Sequence, residues 1–434
     1  VAFKRMEPCR DASRLMLWSD FVFPFFLGGA VRANVAVFEL LAAREGMSLR
    51  VVAVPLNATE ADQDVKHVQS QGAEVNTTVE CGSSVSRFQW KGLDVHQHKQ
   101  RGEADVLKIV EHHLREFQPT VVVVSPDFSG TCTRACLDAG VRVVSFLHSA
   151  SWVGGHAFAS PEDDCVDHSI LARCTLVAPS RYLADFVAEQ LGTPVTPVNF
   201  PLLLPKTTRV MCDRQGSIAM FNPSPIKGVS IFLDVAKALP SEKFLAVAMW
   251  ATRKVDRDAL GQQPNITIAE PVADVREFFA KTRCDGAMDC TNWAAVFCLC
   301  RRCGRSRSVS SLSRPCSAAV PSSHPTSAAF RKLGWYGGGG VVRRVQGVAA
   351  MVQVNGYKRR EDWASESHVP PPQSVDGWLQ ALRRLDDPAA YAAASQASRD
   401  AALEYVGRTG TADEFARLLG HRPRPLSERT RSMP

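Results

Sequence analysis

The chain has 434 residues, 45% of them hydrophobic and 22% charged, which excludes a fibrous or wholly disordered protein and suits two or three domains at roughly 150 residues each. Its formal charge is +7, and one stretch carries all of it: between Cys284 and Ala350 nine Lys and Arg residues face only Asp285 and Asp289. The rest of the chain is balanced, which speaks against a protein built throughout for nucleic acid.

Taken in chain order, the pattern alternates between apolar runs and helical periods. Leu15 to Trp18 predicts a buried strand, followed by a loop around Gly28-Gly29 and a helix from Val31 to Arg44. Leu49 to Pro55 predicts the next strand, Ala104 to Phe117 a helix, and Val121 to Val124 a strand. Cys132 to Ala139 predicts a helix that Gly140 stops, and Val141 to Leu147 a strand that ends at His148. Leu176 to Ala178 follows as a strand, with Ser180 as the cap of a helix from Tyr182 to Leu191.

After the proline-spaced stretch Pro197 to Pro205 the alternation starts again. Strands are expected at Ser217 to Phe221, Phe244 to Trp250 and Asn265 to Ala269, and helices at Val229 to Leu239 and Val275 to Ala280. Near the C-terminus Trp378 to Leu385 and Ala389 to Tyr405 have the helical period. Strand–helix repetition implies parallel strands in doubly wound sheets, so two open α/β domains joined near residues 200–212 are expected. Ligand in such a pair lies outside the carboxyl ends of the strands.

No apolar run approaches the roughly 18–20 residues of a membrane span, and the longest, Phe21 to Val31, is broken by Pro24. The first residue is Val1, not Met, so a truncated N-terminus is expected; within the residues present nothing targets the chain, and a cytoplasmic location is the expectation. The cysteines are scattered rather than arranged as a disulfide framework, which fits a reducing compartment.

Neither dinucleotide fingerprint nor P-loop is present. Phe26-Leu27-Gly28-Gly29-Ala30 still sits where a strand feeds a helix, and small residues there let backbone N–H groups approach an anion. A tight turn explains the same residues. Lys227-Gly228, just before a helix, places an ammonium beside a helix N-terminus, which suits a diphosphate; a surface lysine is the competing reading.

Together these residues resemble a known family. Phe25 to Ala30, Val177-Ala178-Pro179-Ser180 and above all Met220 to Gly228 are similar to motifs of retaining, family 4-like glycosyltransferases of GT-B fold. The resemblance covers about residues 14–283 and resumes weakly from Trp378 to Tyr405. It implies two Rossmann-like domains facing across a cleft, transfer of a sugar from a nucleotide-diphosphate sugar to an unknown glycosyl acceptor, and no cofactor or metal. By the same resemblance Gly28, Gly29 and Gly228 contact the donor phosphates, Lys227 neutralises the leaving diphosphate, and His148 lines the donor and acceptor side of the cleft. Relatives commonly carry an arginine where Asn222 stands, which leaves Lys227 with less help.

The expected domains are 1–205 on the acceptor side, 206–283 as the start of the donor domain, 284–350 as a basic low-complexity segment, and 351–434 as C-terminal helices with a basic tail. Relatives continue after Arg283 with a loop of the form G-x-P-V-x-A-S and end it G-G-L-P-E, whose last glutamate binds the donor ribose. Here no Glu occurs between Glu277 and Glu361. Joining the third base of each codon from Ala318 to Lys332 to the first two bases of the next gives codons compatible with G-x-P-V-V-A-S-D-V-G-G-L-P-E. The family loop is thus expected in another frame, over about residues 284–336. The donor domain as printed is then incomplete, the chain inactive, and its C-terminal helices poorly docked.

Other classes fit less well. Cys298, Cys300 and Cys303, with Cys290 or Cys316, lack the doubled C-x-x-C spacing of a zinc ribbon. The Arg/Ser segment lacks interleaved aromatics, so no nucleic-acid partner is expected. A non-catalytic GT-B-like nucleotide-binding protein is the alternative to the enzyme. Sequencing the transcript across codons 280–345 is expected to reveal a lost or gained base; an intact printed frame would contradict the slip.

Overall fold

Both faces of the first strand, β1 (Ser13–Ser19), are covered: Leu15 and Leu17 enter one core, Met16 and Trp18 another. Such a strand belongs inside a parallel sheet with helices on each side. The computed structural model describes residues 13–25, 28–55, 58–99, 103–148, 168–201, 216–249, 252–271, 282 and 374–420. They fall into two compact units.

In the first unit β1 is followed by α1 (Gly29–Ala42), β2 (Met47–Ala53), α2 (Ala58–Ser70), β3 (Val75–Glu80), β4 (Ser83–Trp90) and β5 (Leu93–His98). Then come α3 (Glu103–Phe117), β6 (Val121–Val124), α4 (Thr131–Asp138), β7 (Arg142–Phe146), α5 (His168–Leu171), β8 (Thr175–Ala178), α6 (Arg181–Leu191) and β9 (Val195–Pro197). The sheet order is β3-β4-β5-β2-β1-β6-β7-β8-β9, parallel from β5 to β9. Leu17 lies opposite Val51 on one side and Val123 on the other. Ser180 caps α6 as expected, its Oγ accepting from the Leu183 N–H at 3.2 Å.

Parallel strands alone were expected, and one edge departs from that. β3, β4 and β5 form an antiparallel meander. Its turns are Cys81-Gly82 and Lys91-Gly92, with φ of 52° and 80° and of 46° and 84°. Two positive-φ residues between strands are the type I′ geometry that matches strand twist.

In the second unit β10 (Ile218–Phe221) leads through a 3-10 turn at Pro225–Lys227 into α7 (Val229–Ala238), β11 (Phe244–Val247), α8 (Lys254–Gly261) and β12 (Ile266–Ala269). The three strands are parallel in the order β10-β11-β12. Thr282 makes a parallel bridge to Ser217, on the flank of β10 away from β11. Two helices follow in this unit, α9 (Asp376–Arg384) and α10 (Pro388–Val406).

Poor docking of the C-terminal helices is corrected for the one at Trp378 to Leu385. Trp378 and Leu382 of α9 are buried in the core built by β10, β11 and α7. The helical period that puts Trp378, Ala381 and Leu382 on one face gives α9 a stripe that the sheet's apolar side covers. A further helix, α11 (Ala412–Leu418), belongs to the first unit, where Phe415 packs among Phe38, Phe146 and Phe200. The Gly410 N–H donates to the Asn199 carbonyl at 2.7 Å and Arg142 donates to the Leu418 carbonyl at 2.9 Å. An aromatic so placed contributes roughly 3–5 kcal/mol when truncation to alanine is the measure. The expected helix at Val275 to Ala280 and the segment 284–336 lie outside the described residues. No helix among the described residues is long and apolar enough to cross a membrane.

Candidate functional site

The strand order of the first sheet reverses beside β1: β2 and β5 lie on one side, β6, β7 and β8 on the other. The crevice beyond the carboxyl ends of β1 and β6 is where an open parallel sheet takes ligand. Gly28, Gly29 and His148 all reach this edge, the glycines after β1 and the histidine after β7. Asn34 of α1, fully buried, joins them. Its Nδ2 donates to the Ser125 carbonyl at 3.1 Å, and its Oδ1 lies 2.8 Å from His148 Nε2.

Because the amide nitrogen is committed to a carbonyl, Oδ1 accepts and Nε2 of His148 carries the hydrogen, an assignment made from the network. Nδ1 is then the acceptor nitrogen. Burial pushes His148 down to about 3, so the ring is neutral near pH 7. It meets the edge of Phe200 with centroids 5.1 Å apart.

Gly28 caps α1 with extended backbone, and a Cβ at Gly29 would meet no atom within 4 Å. Packing therefore does not require glycine at 29. The first turn of α1 holds no acidic residue, and a helix N-terminus favours negative charge. Two buried side chains fix the approach to it. Gln97 accepts from the Phe23 N–H at 3.1 Å and donates to the Ala61 carbonyl, and Asp64 Oδ1 accepts from the Phe25 N–H at 3.0 Å. Burial raises Asp64 to about 7, against the lowering effect of the Phe25 hydrogen bond.

The second unit has its own reversal at β10, flanked by β11 and by Thr282. Beyond its carboxyl end Asn222 is left-handed at φ 56° and its N–H donates to the Val247 carbonyl at 2.8 Å. A short amide tolerates that conformation better than most residues. The Ser224 carbonyl accepts from the N–H groups of Lys227 and Val229 at 2.9 and 3.1 Å, which folds the loop over itself. Gly228, at φ 82°, then opens α7, whose first turn is also free of acidic residues. Ser224 is 1% exposed, yet its Oγ has no hydrogen-bond partner among the described residues. Native interiors seldom leave a buried hydroxyl so.

Gly28, Gly29 and His148 thus gather on the first unit, and Lys227 with Gly228 on the second. Asn34, Asp64 and Ser224 were missed in the sequence. The one signal for Asn34 was a polar residue on the apolar face made by Val31, Val35 and Phe38.

No protein-family model and no curated protein matches the chain. Solved structures resemble its shape. A TarM mutant of S. aureus in complex with Fondaparinux, alpha-GlcNAc-glycerol and UDP is 8% identical over 93% of this chain and 99% of its own, with a TM-score of 0.48. UDP-GlcNAc 2-epimerase from Neisseria meningitidis bound to UDP-GlcNAc is 12% identical, covering 62% and 76%, at 0.42. The catalytic domain of Starch Synthase IV from Arabidopsis thaliana bound to ADP and acarbose is 12% identical, covering 64% and 77%, at 0.41. At such scores the architecture rests on the chain's own strand order.

Asp64 generates a pH prediction. Its folded value of about 7 lies above the ordinary 3.8, so its contribution is full below pH 4 and is lost as pH rises through 7. The stability of wild type relative to Asp64→Asn should therefore fall between pH 4 and 7.5, by at most roughly 4 kcal/mol. Urea unfolding of both proteins at each pH measures this, and a flat difference contradicts it.

Proposed function

We propose that the chain descends from a retaining glycosyltransferase of GT-B type that moves a sugar from a nucleotide-diphosphate sugar to an acceptor. The observation that carries this reading is the β10–α7 loop. There Lys227, Gly228, the buried Ser224 hydroxyl and a helix N-terminus with no acidic residue in its first turn meet at a sheet reversal. That set offers positive charge and hydrogen-bond donors to a diphosphate.

In this reading Lys227 and the start of α7 stabilise charge as the nucleoside diphosphate leaves, and the acceptor attacks the same face of the sugar. Gly28 and Gly29 leave the first turn of α1 open to an anionic group of the substrate. His148, neutral and with Nε2 held by Asn34, offers Nδ1 to a sugar hydroxyl. Its role is orientation.

One observation favours a second reading for the chain as printed. Glutamate is missing from 278 to 360, so the ribose-binding carboxylate that the resemblance implies is absent. Without it the printed chain is a nucleotide-binding protein with little or no transferase activity, and the slip over about residues 284–336 accounts for the loss. In a frame-restored protein assayed with nucleotide-diphosphate sugars, Lys227→Ala should lower kcat by roughly 10²–10³-fold while leaving the melting temperature nearly unchanged. An unaltered kcat would remove Lys227 from the mechanism.

A further inference from the structure

Outside the site just described, the largest concentration of unused chemistry lies between the β3–β5 meander and α3. His96 and His98 sit on one face of β5, alternating with Gln97, whose side chain faces the loop before α1. His112 and His113 come from α3, and Glu80 ends β3. His96, His98 and His113 are at most 1% exposed.

The carboxylate of Glu80 is divided between two tasks. Its Oε1 accepts from Arg87 Nε at 2.5 Å and from Thr78 Oγ1 at 3.0 Å. Its Oε2 is buried without a hydrogen-bond partner among the described residues and is turned to the imidazoles. His112 Nε2 is 3.3 Å from it and His96 Nδ1 is 3.8 Å. His98 Nε2 and His113 Nε2 lie 3.1 Å apart.

Donor atoms of Glu80, His98 and His113 can all lie within 4.8 Å of one another. Zinc–nitrogen bonds of about 2.0–2.1 Å at a tetrahedral angle place neighbouring ligand atoms roughly 3.3 Å apart. The 3.1 Å between Nε2 of His98 and Nε2 of His113 is close to that edge length. Glu80 Oε2 is buried with no hydrogen bond among the described residues, and the ring nitrogens His96 Nδ1, His98 Nδ1, His112 Nε2 and His113 Nδ1 around it are likewise buried without one. Native interiors seldom leave so many together.

We propose that Glu80, His98 and His113 bind a divalent transition-metal ion of zinc chemistry. Imidazole nitrogen with one carboxylate oxygen selects this class over magnesium or calcium, which take oxygen ligands. Arg87 and Thr78 orient the carboxylate from behind, as outer-shell partners do. The ion clips β3, β5 and α3 together, so its role is structural.

The test uses the full-length, tag-free chain with Cys298, Cys300 and Cys303 replaced by serine, so that thiolates there do not contribute. After chelator treatment it is titrated with Co(II) and, separately, with Zn(II). The expected result is about one ion per chain, a visible absorption band of tetrahedral Co(II) without thiolate charge transfer, and a higher Tm with Zn(II). Glu80→Gln and His98→Gln should each weaken Co(II) binding roughly tenfold or more. Circular dichroism checks that they fold. Where a variant does not fold, the band and the Zn(II)-raised Tm of the unaltered site support the proposal. No uptake, no band, or binding unchanged in folded Glu80→Gln and His98→Gln proteins would overturn it.

Discussion

From β5 to β9 the strands of the first sheet run the same way, so each loop that follows a strand arrives at one edge. That constraint comes from burial. Strands such as β1 and β6 are apolar on both faces, and helices must return over each face to cover them. The same return trips bring Gly28, Ser125 and His148 together, although they are far apart in the chain. Asn34 closes the arrangement by joining the loop after β6 to the histidine after β7. The second unit repeats the device with three described strands, and Lys227 follows β10, which lies between β11 and the bridge to Thr282.

The parallel core was legible in the sequence because doubly buried strands read as continuous apolar runs. Val121 to Val124 is the plainest example, and all four residues are buried. The β3–β5 meander was not legible. β3 is mostly exposed and polar, and its turns use Cys81-Gly82 and Lys91-Gly92 rather than the Asn-Gly or Asp-Gly that marks a hairpin. Two of the C-terminal helices were visible as periods, but periodicity names a face and not its partner, and α11 was not read at all. Phe415 finds its partners in β7 and in Phe200, which are more than 200 residues earlier.

For the candidate site, glycines and a lysine at helix starts were readable because position along the chain suffices to place them. Asn34, Asp64 and Ser224 were not, since the meaning of a buried polar group lies in the atoms it meets. The His-x-His of β5 and the His-His of α3 carried a signal that went unread, because only the pairing of β5 with α3 makes them neighbours. β5 therefore serves two centres, with Gln97 toward the glycine loop and His98 toward the metal-binding cluster.

Calorimetric titration of the full chain with uridine, guanosine and adenosine diphosphates, each against its monophosphate, tests the phosphate-binding account most directly. The account predicts that one diphosphate binds, that its monophosphate binds much more weakly, and that Lys227→Ala lowers the diphosphate affinity about tenfold, the loss of one charge-assisted contact. Binding of no diphosphate, or equal affinity in wild type and Lys227→Ala, would contradict it.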